Sequence, residues 1–220
     1  MANRFFSYLL DLLFPPRCVF CGGLLKGGES GFCSHCQSSL PWTAGMQGEQ
    51  HLKFISLCAS PLWYRDSVPA SFHRYKFDGR TGYAKVYGAL MAQCVQDHLR
   101  DRYDLITWVP LSDRRRKARG YDQAFLLAQA AALELDDVAA ETLRKGQDIA
   151  AQSSLEDDSR RRANVLGVYE LSDPELISGK RILLVDDIVT TGATLSECAR
   201  MLRTGGAADV VAVTLARARG

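Results

Sequence analysis

The sequence predicts an α/β fold, a mostly parallel sheet with helices on both faces, behind a small cysteine-rich module. Three observations predict it. Apolar runs of strand length alternate with segments of helical period from Phe54 onward. The run Ile182–Val185 is apolar at every position, as a strand buried on both faces requires. Pro15 to about Pro41 is rich in cysteine and glycine and carries neither period. A chain of 220 residues has room for one α/β domain and an appendage. The expected division is 1–50, an N-terminal helix with a four-cysteine module, and 51–220, the α/β domain.

Taken in order, Arg4–Phe14 reads as a short amphipathic helix. Asp11 interrupts its apolar run, and Pro15-Pro16 follow without a small-residue cleavage site, which argues against a signal peptide. Phe54–Tyr64 reads as a strand, Thr81–Leu99 as a helix, and Leu105–Val109 as a second strand ending at Pro110. After a basic loop to Arg119, Tyr121, Ala124, Phe125, Ala128, Ala131, Ala132 and Leu135 recur at helical spacing. Lys145–Arg162 is polar and weakly patterned, the mark of a long excursion. Ser178-Gly179-Lys180 turns into the strand Ile182–Val185, a helix follows from about Thr194 to Arg203, and Gly205-Gly206 ends it. Val210–Leu215 is the last strand.

The formal net charge of +2 creates no global field toward nucleic acid or membrane, so any basic effect is local. No run of about 18 apolar residues occurs, so no membrane span is expected, and the expected location is the cytoplasm. Of seven cysteines, Cys58, Cys94 and Cys198 stand alone in apolar surroundings as core residues. An odd number without a secretion signal indicates reduced thiols rather than a disulfide framework.

The chemistry concentrates where Ile182–Val185 ends. Asp186 and Asp187 come next, at the carboxyl end of a strand, where open α/β sheets bind ligands. Adjacent carboxylates can accept hydrogen bonds from both vicinal hydroxyls of a ribose and attract Mg²⁺ carried by a pyrophosphate. Thr190, Thr191, Gly192, Ala193 and Thr194 add small residues, which let backbone amides approach a phosphate, three hydroxyls, and the start of a helix. A bare Thr-Thr-Gly would be no more than a helix cap, with Thr194 as the N-cap residue. The whole stretch ILLVDDIVTTGAT reads sugar and 5′-phosphate together, and no GxxxxGK[ST] segment offers a P-loop instead.

Cys18-x₂-Cys21-x₁₁-Cys33-x₂-Cys36 supplies four thiolates in two pairs, with Gly22-Gly23 allowing the turn that aims backbone amides at sulfur. This spacing suits a tetrahedral, structural Zn²⁺ that would fold a segment lacking its own core. A redox dithiol or an iron–sulfur cluster accounts for two pairs less well. His35, inside the second pair, is expected to be an exposed bystander. Arg114, Arg115 and Arg116 open a basic run at the same sheet edge as Asp186, suited to pyrophosphate or to a nucleic-acid backbone, and Arg160–Arg162 repeats the theme.

The acidic pair followed by a threonine–glycine loop resembles the type I phosphoribosyltransferases. That resemblance implies ribose contacts for Asp186 and Asp187 and 5′-phosphate contacts for Thr190–Thr194. The four-cysteine module, Lys76-Phe-Asp-Gly79, Val109-Pro-Leu-Ser112, Arg119-Gly-Tyr-Asp-Gln123, Gln152 and Arg162-Ala-Asn164 extend the likeness, and in this order they resemble the ComF family over nearly the whole chain. Arg144–Asn164 is similar to the hood of the glutamine-dependent amidophosphoribosyltransferases, with Ile149 and Ala150 where a threonine usually precedes the glutamine. Tyr121-Asp122 likewise stand where Phe-Asn is more usual.

The ComF resemblance implies a type I phosphoribosyltransferase-like sheet behind a zinc ribbon and a ligand such as phosphoribosyl pyrophosphate with Mg²⁺. It also implies a part in DNA uptake with the competence machinery, including single-stranded DNA as a partner. A second function the sequence admits is an active transferase of nucleotide metabolism that releases pyrophosphate, with Lys76, Arg114 and Arg115 as the basic groups facing the leaving group. A third, a retired transferase fold serving as a zinc-dependent adaptor, is disfavoured by the intact Asp186 and Asp187. No acceptor pocket and no catalytic residue stand out in the sequence.

Overall fold

The computed structural model describes residues 15–146 and 168–218. The helix expected over Arg4–Phe14 lies outside them, as do Gln152, Arg160–Arg162, Asn164 and most of the excursion expected from Lys145.

The cysteine module holds helix α1 (Ser34–Ser39) and leads through a 3₁₀ turn (Gly45–Gly48) into an antiparallel hairpin of β1 (Glu49–Leu52) and β2 (Ile55–Ala59). The single strand expected over Phe54–Tyr64 is divided. Phe54 occupies the hairpin turn at φ 67, and Ser60-Pro61 separates β2 from β3 (Leu62–Trp63), because proline has no N–H for a ladder. Helix α2 (Val68–Phe77), unread in the sequence, starts with proline in its first turn and buries Val68, Ser71, Phe72 and Tyr75 on one face. Helix α3 (Tyr83–His98) and β4 (Leu105–Trp108) fall inside the expected segments.

The basic run is a helix rather than a loop. Residues Asp113–Arg119 form α4, closed by Gly120 at φ 85. Arginine, lysine and alanine are good helix formers, and a left-handed glycine is a standard helix stop. There follow α5 (Gln123–Glu134), a small antiparallel pair of β5 (Leu143–Lys145) and β6 (Tyr169–Leu171), and α6 (Pro174–Ile177). The chain ends through β7 (Arg181–Val189), α7 (Ala193–Thr204) and β8 (Asp209–Arg217).

The main sheet runs β1-β2-β8-β7-β4, with β3 also pairing β8, and every pairing except β1–β2 is parallel. Alternation along β7 divides the core. Leu183 and Val185 face a cluster with α3 and α5, whereas Ile182 and Leu184 face one containing Leu195, Cys198 and Leu202 of α7. Helices therefore cover both faces, as an α/β sheet requires. The first cluster also takes in Val19, Phe20 and Leu40, so the cysteine module shares the core of the main body. Among the described residues no helix is long and apolar enough to cross a membrane.

Candidate phosphoribosyl site and metal centre

Because β4 and β7 are parallel and in register, Trp108 lies beside Val185 and the segments after both strands emerge at one sheet edge. A cleft of about 240 Å³ opens there. Its floor is Asp186–Leu195, and around it stand Lys76 from α2, Pro110 and Leu111 after β4, Arg115 and Arg119 from α4, Gln123 from α5, and Lys145 and Tyr169 from the small hairpin.

The strand does not stop at the acids but runs through them to Val189, so their side chains are held by ladder geometry rather than by a loop. Half-buried Asp186 accepts the Asp187 N–H on Oδ1 at 2.8 Å. Burial and the neighbouring Asp187 charge raise its pKa well above the usual carboxylate range. Asp187, only 8% exposed, is compensated. Its Oδ2 accepts from Lys76 Nζ at 2.8 Å and from Gln123 Nε2 at 3.2 Å, and its Oδ1 accepts from the Ile188 amide at 2.6 Å. The pair is therefore asymmetric, with one carboxylate already matched to a cation and the other, among the described residues, in no ion pair.

Thr190–Thr194 turn from β7 into α7. Gly192 is the N-cap residue at φ 74, so Thr194 is the second residue of the helix. Thr191 Oγ1 accepts the Ala193 N–H at 3.4 Å. Asp122 organises the opposite wall. One oxygen caps α5 through Ala124 and Phe125, and the other accepts the Leu111 amide at 2.9 Å.

Of the residues singled out in the sequence, Lys76, Arg115, Asp186, Asp187 and Thr190–Thr194 meet in this cleft. Arg114 and Arg116 do not line it; Arg114 is exposed, and Arg116 pairs with Asp113 at 2.8 Å. Arg119, Gln123, Lys145 and Tyr169 line it without having been assigned a contact. The first two lie in the quoted Arg119–Gln123 segment. The last two come from strands of three residues each, too short to leave a period. Burial pushes the Tyr169 hydroxyl pKa far up, so it stays a neutral donor.

The four thiol sulfurs of Cys18, Cys21, Cys33 and Cys36 lie within 4.8 Å of one another, with Cys21 and Cys33 at 3.7 Å. A tetrahedral zinc with Zn–S near 2.3 Å places its sulfurs about 3.8 Å apart, so the set fits one ion. Amides of Cys21, Gly23 and Cys36 point at the sulfurs of Cys18, Cys21 and Cys33 at 3.5, 3.4 and 3.4 Å, as expected for thiolate ligands. His35 is exposed and outside the set. The first Cys-x₂-Cys turn is tied to α2. Arg74 Nη2 donates to the carbonyls of Val19 and Phe20 at 3.1 and 2.7 Å, and the Ser71 hydroxyl also donates to Val19.

Residues 118–220 match the family model for a phosphoribosyl transferase domain, and residues 9–47 match that for a double zinc ribbon domain. Competence protein ComFC of Streptococcus pneumoniae is 30% identical, over 91% of this chain and 100% of its own. DNA utilization protein YhgH of Escherichia coli O157:H7 is 31% identical, over 94% of this chain and 99% of its own. Among solved structures, a glutamine phosphoribosylpyrophosphate amidotransferase from B. subtilis superposes with a TM-score of 0.45 at 19% identity. That match covers 64% of this chain but only 30% of the amidotransferase. Relatives at this identity, matched along essentially their full length, together with the two domain matches in this chain, place the protein: the chain belongs to the ComF family.

Proposed function

We propose that this protein binds phosphoribosyl pyrophosphate with Mg²⁺, or a phosphoribosylated ligand, at the carboxyl end of β7. In this reading it does so in the cytoplasm, as part of DNA uptake during natural transformation. The observation that carries the ligand assignment is the convergence of Asp186, Asp187 and Thr190–Thr194 on one cleft with Lys76 and Arg115 opposite. The acids accept the ribose hydroxyls, the amides and hydroxyls of 190–194 take the 5′-phosphate, and the cations face the pyrophosphate. Bound Mg²⁺ would neutralise part of the pyrophosphate charge. Lys76, paired with Asp187 in the free site, is placed to turn from that carboxylate to the incoming anion.

Calorimetry with phosphoribosyl pyrophosphate and Mg²⁺ tests this reading. The wild type binds, and the Asp186→Asn/Asp187→Asn variant loses about a hundredfold or more, since each hydrogen bond to a charged group contributes about 1.5–3 kcal/mol. Equal affinities would remove the site assignment. The DNA side of the proposal draws on the names of the relatives, competence and DNA utilization, and on the exposed cations of α4. Salt-sensitive binding of single-stranded DNA that weakens when Arg114–Arg116 are neutralised is expected, and its absence at low ionic strength would end this half of the proposal.

A second reading, true phosphoribosyl transfer, is favoured by the cations facing the acids across the cleft, where they could stabilise a departing pyrophosphate. Acceptor-dependent release of pyrophosphate is its signature. Failure across bases, amines and nucleic acids would leave binding without turnover.

A further inference from the structure

Beside the phosphoribosyl cleft lies a second groove, of about 330 Å³, lined by Lys76, Phe77, Gly79, Arg115, Arg119 and Tyr121, with Ala118 between the two arginines. Phe77 is the anomaly. It ends α2 with 64% of its surface exposed, whereas Phe72 and Tyr75 of the same helix are buried. The ring is framed rather than covered, with His73 at 4.8 Å between ring centroids and the Arg119 guanidinium at 5.2 Å. An exposed flat ring flanked by cations is what binds an unpaired base and its phosphate, because any base can stack and any phosphate can pair. A duplex keeps its bases stacked inside and has none to offer. The helix forming the wall, α4, buries no residue and supplies Arg114, Lys117 and Arg119 besides Arg115, so its composition serves charge rather than packing.

Three side chains, Lys76, Arg115 and Arg119, line both this groove and the phosphoribosyl cleft. We infer that single-stranded DNA stacks a base on Phe77 and lays its phosphates on these shared cations, so that DNA and the pyrophosphate end of the phosphoribosyl ligand displace one another. This rests on the ligand and DNA readings of the preceding section and adds where the strand sits and what regulates it. One cation cannot neutralise two anions at once, so occupancy by pyrophosphate withdraws charge from the strand. By linkage the strand weakens the small ligand by the same factor. The 5′-phosphate loop at Thr190–Thr194 lines the cleft and not the groove, so a ligand held there alone leaves the DNA site intact.

The test is fluorescence anisotropy of a labelled oligothymidylate with the full-length, zinc-loaded protein, at fixed free Mg²⁺ and fixed ionic strength. Saturating phosphoribosyl pyrophosphate, or inorganic pyrophosphate, should weaken oligonucleotide binding about tenfold, within the usual range of coupling between sites. Ribose 5-phosphate should leave it unchanged. Phe77→Ala should weaken the oligonucleotide about tenfold, as loss of one stacked base does, while phosphoribosyl pyrophosphate affinity stays at the wild-type value. Oligonucleotide binding indifferent to pyrophosphate overturns the inference even if Phe77→Ala proves unstable, since that arm needs only the wild type. A wild type that never binds the oligonucleotide defeats the DNA reading itself, and one that binds DNA but neither pyrophosphate compound in calorimetry defeats the ligand reading.

Discussion

At the residue scale the two carboxylates are unequal, and their difference is testable by pH. Asp187 has Lys76 and Gln123, whereas Asp186 lies in a half-buried place beside another charge, which raises its pKa. A carboxyl whose folded pKa is raised favours folding fully below its unfolded value, near pH 4, and that contribution is lost as pH rises through the raised value. Asp186→Asn should therefore stabilise the ligand-free protein at neutral pH, by ~1 kcal/mol or roughly 2–4 °C in melting temperature for a chain of this size, and the gain should vanish near pH 4. The same change should weaken phosphoribosyl pyrophosphate. A melting temperature that falls at neutral pH would show that Asp186 is compensated by something other than ligand. The acids were legible because an all-apolar strand fixes where they emerge. Which of them is paired was not, because Lys76 is more than a hundred residues away and arrives on a helix the apolar pattern did not announce.

At the scale of elements, periodicity located the longer helices with a continuous apolar face and missed two shorter ones, α2, whose buried face mixes Ser71 with Val68, Phe72 and Tyr75, and α4. Helix α3 and helix α5 could be read from spacing, but α4 has no buried residue and hence no apolar stripe. The turn from β7 to α7 depends on β1, a strand that lies outside the segment expected over Phe54–Tyr64. Gly192 sits at φ 74, and a Cβ built there would lie 2.5 Å from Leu52 Cδ2 in the β1–β2 hairpin. Gly192→Ala should thus destabilise by about 1–2 kcal/mol from left-handed backbone alone and weaken ribose 5-phosphate about tenfold by moving the amides of the loop. Adding Leu52→Ala removes the clash but not the backbone strain, so calorimetry should show partial recovery. Full recovery would assign the whole defect to Leu52, and no defect in the single variant would mean the loop tolerates a side chain.

For the whole molecule, the cysteine module and the ligand edge are joined through one helix. The Val19 and Phe20 carbonyls, inside the first Cys-x₂-Cys turn, are held by Ser71 and Arg74 of α2. One residue beyond Arg74, Tyr75 donates to the Gln123 carbonyl at 2.9 Å, and the next residue, Lys76, reaches Asp187. The sequence shows two motifs more than a hundred residues apart; only the fold makes α2 their common support. Chelating the zinc should lower the melting temperature, because Cys18, Phe20 and Cys36 belong to the same buried cluster as Tyr75 and Tyr87. Arg74→Gln tests the connection with the metal left in place. Zinc content should stay at that of the wild type while phosphoribosyl pyrophosphate binds about three- to tenfold more weakly, on the order of the coupling carried by packed networks. If Arg74 acts by holding Lys76, its effect should nearly disappear in a Lys76→Met background. Additive losses in the double variant would mean that the module stabilises the fold without placing the lysine, and that Lys76 owes its position to the Asp187 carboxylate alone.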